Sequence, residues 1–250
     1  MKHWYVISFI FISRLALAQE ASLQFEQANQ LYRSADYQGA AKMYDLVVKN
    51  GYESAALYYN LGNAHFKLKD IPSAILNYER ARRLAPHDDD VQYNLRLANL
   101  RVVDKIEPVP QIFFIEWWSS IMSSLSSGGW AVLAIVSLWC TAVCGAITLL
   151  MRSPGAQKIS LGICVASLLL CVLGFTGTIR QYRHEQNDQT AIVFSPSIPV
   201  KSSPDAQSTD LFVLHEGVKV DLLDTVGEWK KIRLADGKMG WIPAEGIRVI

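Results

Sequence analysis

One stretch of this 250-residue chain matches itself 34 residues downstream. Ala28, Asp36, Ala40 and Tyr44 are answered by Gly62, Asp70, Ala74 and Tyr78, and Tyr93-Asn94-Leu95 repeats Tyr59-Asn60-Leu61 at the same offset. A period of that length, with small residues, aromatics and a closing Pro86, fits one helical hairpin per repeat. A single hairpin cannot bury its apolar face alone. Hairpins therefore stack, and the stack presents an extended surface suited to holding a partner.

The helices are expected near Leu23–Ser34 and Tyr37–Asn50, then Ser54–Leu68 and Ile71–Leu84. Asp36 and Asp70 stand where a side-chain oxygen caps the second helix of each hairpin, and Pro72 suits a first helical turn. Ala40 and Ala74 are small where two helices cross closely, and Tyr44, Tyr78 and Ala81 fill the seam. Residues 91–103 echo the first helix of a hairpin with no second helix after it, and are read as a cap over the open apolar end. His87-Asp88-Asp89-Asp90 is read as the acidic start of that helix, favoured by its dipole, and not as a metal site. The repeat domain spans 19–106, with repeats at about 21–54 and 55–88.

Half the residues are hydrophobic, and the excess sits in two blocks. Trp130 to Met151 is 22 residues without a charge, and Ile159 to Ile179 is 21. At about 1.5 Å per residue either crosses a bilayer core of roughly 30 Å. The loop 152–158 between them is tight. Gly162 with Ala166, and Ala142 with Ala146, are small pairs at which the two helices can approach. Residues 107–129 mix Phe113, Phe114, Trp117 and Trp118 with serines, the pattern of a helix in the headgroup layer; a plain linker is the alternative. All four cysteines lie in the apolar blocks, so the remaining segments hold no disulfide framework. They are read as packing residues, with a thiol sensor as the alternative.

At the N-terminus Lys2 and His3 precede an apolar run and Ala16-Leu17-Ala18, the pattern of a secretory signal over residues 1–18. An export signal and two spans place both flanking regions on the same external side, with the loop 152–158 cytoplasmic. After a linker at 180–189, residues 190–250 change to short alternating strands and turns. Ile232 and Leu234 share one strand face. Trp229 has the opposite parity and belongs on the outer side or an edge. Trp241 is either a stacking aromatic or part of the core.

These segments carry a resemblance. Residues 22–103 resemble tetratricopeptide repeats. Residues 190–250 resemble a bacterial SH3 domain, through Val200-Lys201-Ser202-Ser203-Pro204, Leu214-His215-Glu216-Gly217, Gly227-Glu228-Trp229 and Gly240-Trp241-Ile242-Pro243. The full order, including Asp104-Lys105-Ile106-Glu107-Pro108, resembles the BatE-like proteins of the Bacteroides aerotolerance operon. The implied fold is a multidomain membrane protein: all-α tetratricopeptide hairpins, a two-helix transmembrane hairpin and a small all-β SH3-like barrel. The resemblance implies a bacterial inner-membrane protein, with repeats and SH3-like domain on the periplasmic side. Its partners would be von Willebrand A-type Bat proteins and a MoxR-type ATPase.

Function follows from what is present and missing. Between Gln19 and Ile106 the chain has 11 Lys/Arg and 11 Asp/Glu, and between Asn187 and Ile250 it has 7 and 9. Neither region has the basic stripe of a nucleic-acid binder. No catalytic motif occurs, so an enzyme is not expected, nor a metal or other cofactor. The leading reading is an envelope scaffold. Its groove would be lined by Phe25, Asn29, Tyr32 and Arg33, then Tyr59, Asn63, Phe66 and Lys67. The repeats lack the Lys and Arg of a carboxylate clamp, since Phe25, Asp90 and Asn94 stand in those places. The alternative is a membrane protein that binds cell-wall peptidoglycan through Trp229 and Trp241 of the SH3-like surface.

Overall fold

The computed structural model describes residues 19–109, 113–187 and 189–250; the signal expected over residues 1–18 lies outside them. Helix α1 covers residues 19–33 and is followed by α2 (Tyr37–Lys49), α3 (Ala55–Lys67), α4 (Ile71–Leu84) and α5 (Asp89–Asn99). Each start has a local cause. The Asp36 carboxylate accepts the Gly39 amide, the Ser54 hydroxyl accepts the Leu57 amide, and the Asp70 carboxylate accepts the Ser73 amide. Burial opposes ionisation of Asp70, but the His65 ring, with Nδ1 3.1 Å from the carboxylate, and the hydrogen bonds from Ser73 outweigh it and hold its carboxyl at about 2. Asp88 caps α5, with Asp89 and Asp90 in its first turn. Ala35 and Lys69, one period apart, both take a φ of 64°, so the two turns close in the same left-handed conformation.

The hairpins cross where the small residues stand. Ala28, Ala40 and Ala74 are fully buried beside Tyr44 and Tyr78. A Cβ on Gly62 would lie 2.7 Å from the Tyr78 ring, so only glycine fits that crossing.

Helix α4 departs from the usual one-sided pattern. Every residue from Pro72 to Glu79 is buried. A helix on a stack surface keeps one stripe wet; α4 keeps none over that stretch, because it touches α3, α5 and a β-strand.

That strand belongs to a seven-stranded antiparallel sheet. It contains β1 (Thr190–Val193), β2 (Ser197–Lys201), β3 (Asp210–His215), β4 (Lys219–Val226), β5 (Trp229–Arg233), β6 (Met239–Pro243) and β7 (Ile247–Val249). The order across the sheet is β3-β2-β6-β5-β4-β1-β7. Val200, Val220, Ile232, Leu234 and Ile242 fill its interior. On β1 the alternation fails: Ala191, Ile192 and Val193 are all buried, because the strand has the sheet's interior on one side and α4 on the other.

The helical repeats and the sheet therefore form one compact unit, residues up to Pro108 with Gln189–Ile250. They share a hydrophobic core in which Ile75, Leu95 and Val102 meet Ile192, Val218 and Val220. The buried Glu79 carboxylate holds Arg82 at 2.6 Å and Lys219 of β4 at 2.9 Å. Arg80 and Arg83 donate to the backbone oxygens of Val249 and Ile250.

Asp104 lies 34 residues after Asp70, as Asp70 lies 34 after Asp36. The first two cap second helices. The third accepts the His215 backbone N–H at 2.7 Å and meets the His215 Nδ1 at 2.9 Å. The end of β3 thus takes the amide-donating place that a third second helix would occupy. One expectation is corrected here: the helix expected over residues 91–103 ends at Asn99 and does not close the stack alone, since the sheet packs beside it.

Gly217 makes this docking possible. Its φ is +88°, and a Cβ there would lie 2.9 Å from Val102 Cγ2. Gly217→Ala is expected to destabilise the unit by about 1–3 kcal/mol, through the left-handed backbone and overpacking. Thermal melting measures it. Val102→Ala in the same chain should recover part of the loss, and strictly additive effects would remove Val102 as the cause.

The second compact unit, Val109–Asp188, contains α6 (Phe113–Ser123), α7 (Ser127–Leu150) and α8 (Pro154–Asn187). Helices α7 and α8 are each long and apolar enough to cross a membrane. The expected loop 152–158 shrinks, because Pro154 already opens α8, a position where its missing N–H costs nothing. The expected linker 180–189 is helical through Asn187.

The seam between them is not where the small pairs suggest. Gly162, Ala166, Ala142 and Ala146 are exposed. The covered positions are Trp130, Ala134, Ser137, Thr141, Cys144 and Thr148, against Ser160, Cys164, Ser167, Cys171, Gly174 and Gly177. The first set alternates steps of four and three throughout and the second does so as far as Gly174, the period at which two helices wind together. Thr141 and Ser167 hydroxyls lie 2.8 Å apart, and Thr148 donates to Ser160 at 2.9 Å. Gly174 lets the backbone of Ala134 approach, and Gly177 receives the Trp130 ring. A four-residue spacing alone does not tell which face turns inward; the polar hydroxyls do.

Candidate interaction surfaces

The eight expected groove residues fall on α1 and α3 in matching places. Phe25, Asn29, Tyr32 and Arg33 correspond, one period later, to Tyr59, Asn63, Phe66 and Lys67. The aromatics and both asparagines are half-buried, while Arg33 and Lys67 are exposed. Phe25 tilts against Tyr44, and Tyr59 against Tyr78, so each also packs on its own hairpin.

A hydrogen-bond ladder runs along this face. Asn29 Oδ1 accepts the Tyr44 hydroxyl at 2.6 Å and Asn60 Nδ2 at 3.0 Å. One period on, Asn63 Oδ1 accepts the Tyr78 hydroxyl at 2.7 Å and Asn94 Nδ2 at 2.9 Å. Asn94 also donates to the Tyr59 hydroxyl at 2.9 Å. The ladder ties α1 to α3 and α3 to α5. Burial pushes the Tyr44 phenol up to about 12 and the Tyr78 phenol well above its ordinary range, so both remain neutral donors. An amide oxygen has two lone pairs. Those of Asn29 and Asn63 are filled from within, which leaves their N–H groups, and not their carbonyls, for a ligand. Asn29 already turns one N–H to Glu26 at 3.3 Å.

The face extends further than the eight residues. Tyr93, Leu97, Leu100 and Arg101 stand one period beyond Tyr59, Asn63, Phe66 and Lys67. Tyr93 is 60% and Leu100 71% exposed. Reading α5 as a cap hides them. The echo of Tyr59-Asn60-Leu61 in Tyr93-Asn94-Leu95 was the signal that carries them.

On the sheet, Trp229 pairs with Pro243 and Lys231 with Trp241 across β5 and β6. Directly opposed residues share a face, so these four form one outer surface, with Ile232 and Ile242 on the inner one. Trp241 is half-buried and not core; the Lys231 ammonium lies 5.9 Å from its ring centre.

In the second unit the Trp130 indole donates to the Met122 carbonyl at 2.9 Å and fastens the end of α6 to α7. Phe113, Phe114 and Trp117 are exposed, Phe113 to 79%, and the Phe114 and Trp117 rings tilt against each other with centres 6.1 Å apart. Among the described residues, no three His, Cys, Asp or Glu side chains are placed to hold a metal ion.

Two family models match the chain. One described as Tetratricopeptide repeat covers residues 25–89, and one described as Bacterial SH3 domain covers residues 196–248. No curated protein matches it. Helix α5 after Asp89, Asp104 and β1, which join the two parts, lie outside both matched stretches.

Proposed function

We propose that this chain is a non-enzymatic, membrane-anchored adaptor whose repeat groove holds a protein partner. The observation that carries this is the asymmetry of the repeat unit. One side of α4 is occupied by the sheet, while the α1-α3-α5 face keeps aromatic area and amide N–H groups open to solvent. Amide donors meet the carbonyls of an extended segment, and aromatics bury its side chains. In its finer form the partner is a von Willebrand A-type Bat protein within a Bat/MoxR-type complex. The order of repeats, two apolar helices and SH3-like domain supports that form.

The chain would sit in a bacterial inner membrane with the repeat–sheet unit in the periplasm. The export-signal pattern and the two apolar helices support this placement. Engineered cysteines at Ser54 and Ser208 are expected to react together with a membrane-impermeant reagent on intact outer-membrane-permeabilised cells. Labelling at only one site would refute the two-span hairpin.

Groove binding is tested by co-purification of the partner from native membranes. Asn63 also serves Tyr78, so Asn63→Ala with Phe66→Ala removes internal bonds as well as surface. The exposed pair Tyr93→Ala and Leu100→Ala is cleaner. Truncating an aromatic anchor can cost about 2 kcal/mol, roughly 30-fold in affinity. Both pairs are expected to abolish co-purification; survival with both would exclude the groove.

A second reading is favoured by the outer face of β5 and β6. Trp229, Trp241 and Lys231 together suit a ligand with rings or carboxylates, as in peptidoglycan. The whole chain must be used, since β1 in an isolated 187–250 fragment would lose the α4 cover of its buried side chains. Sacculi binding that is lost with Trp229→Ala and Trp241→Ala would support this reading.

A further inference from the structure

We infer that the segment held in the groove is acidic as well as apolar, carrying carboxylates about every third residue. This rests on the groove reading above and names the chemistry of its ligand.

The 34-residue period sorts the groove into columns running across α1, α3 and the end of α5. One column is Phe25, Tyr59 and Tyr93; another is Tyr32, Phe66 and Leu100. Beside the second runs Arg33, Lys67 and Arg101. All three cations are exposed. Among the described residues, none of the three takes part in an ion pair, a state they share with other exposed cations such as Lys42 and Arg96. Arg33 and Lys67 stand four residues after Asn29 and Asn63, at the last positions of α1 and α3, and Arg101 follows Leu97 by four in the turn just past α5. A cation near a helix C-terminus is favoured by the dipole, but the dipole accepts any position in the last turn. It does not call for one column three times.

Asp36, Asp70 and Asp104 stand three residues after these cations, but each accepts a backbone amide, of Gly39, Ser73 and His215, and none is ion-paired with the column. Glu26 is engaged with the Asn29 amide, and Asp90 sits in the first turn of α5. The groove is thus apolar along its middle and basic along one edge. The asparagine ladder holds α1, α3 and α5 side by side. Neighbouring helix axes are roughly 10 Å apart, about three residues of extended chain. A segment crossing the helices would meet one cation every third residue and place its apolar residues on the aromatic columns.

The test uses the full chain in nanodiscs and a fluorescent synthetic peptide with Glu at every third position and Leu or Phe between. A second peptide has Lys in place of Glu. The acidic peptide is expected to bind saturably and to weaken with added salt. The triple change Arg33→Gln, Lys67→Gln and Arg101→Gln should weaken it about tenfold, as three exposed ion pairs would. Melting curves confirm that the variant is folded. Equal binding of the Lys peptide, or an unchanged triple variant, would overturn the inference. Failure of the groove itself gives a different pattern. If Tyr93→Ala with Leu100→Ala abolishes co-purification of the membrane partner and the triple Gln change does not, the acidic chemistry falls and the groove stands. If neither change affects co-purification, both fall.

Discussion

Ala74→Trp is expected to unfold the repeat–sheet unit. Ala74 is fully buried on α4, and its carbonyl would lie 3.3 Å from a Cβ on Gly62 of the crossing helix. Neither neighbour can retreat: α3 is held by the crossing and β1 by the sheet. Overpacking typically costs about 1–3 kcal/mol, and this site has less room than most, so the loss should reach or exceed the top of that range. Circular dichroism melting of the full chain reads it, with the α7–α8 helices left as residual signal. An unchanged melt would place Ala74 on a surface and make the 34-residue register wrong.

Tyr78→Ala should cost a comparable amount, about 3–5 kcal/mol for a large buried aromatic. Tyr78 packs against Gly62, tilts against Tyr59 and donates to Asn63. Tyr78→Phe separates the two contributions. It keeps the ring and removes only the hydroxyl, while Asn63 Oδ1 keeps its bond from Asn94. The loss should then be about 0.5–1.5 kcal/mol. A Phe variant as unstable as the Ala variant would mean that the ladder, and not packing, holds the crossing. Chemical denaturation of the full chain distinguishes them.

The sequence reading and the structure agree where causes are local. The caps at Asp36 and Asp70 follow from residue type and spacing, as do the buried Ala40 and Ala74 and the inner Ile232 and Leu234. They part where a second element decides. The matching of the eight expected groove positions on α1 and α3 was legible because they recur at a fixed offset. What their side chains already bond to was not, since Asn63 is linked to Asn94 on a helix read only as a cap. The seam of the apolar hairpin was misplaced because several faces of each helix carry small residues, and a face is chosen only when the other helix arrives.

The sequence by itself determined the two kinds of module, the helical period and its caps, and the two apolar runs. These are properties of neighbours along the chain, and short-range hydrogen bonding and hydropathy are enough to specify them. Only the tertiary structure decided that the sheet docks on α4. It shows Asp104, third in a series of helix-capping aspartates, turned to a strand end at His215. It shows Gly217 lying bare against Val102, and three consecutive apolar residues of β1 with two faces to cover. Each residue is ordinary in its own segment. Its role appears only when surfaces more than 100 residues apart in sequence bury one another, and apolar burial carries no record of which partner will supply the cover.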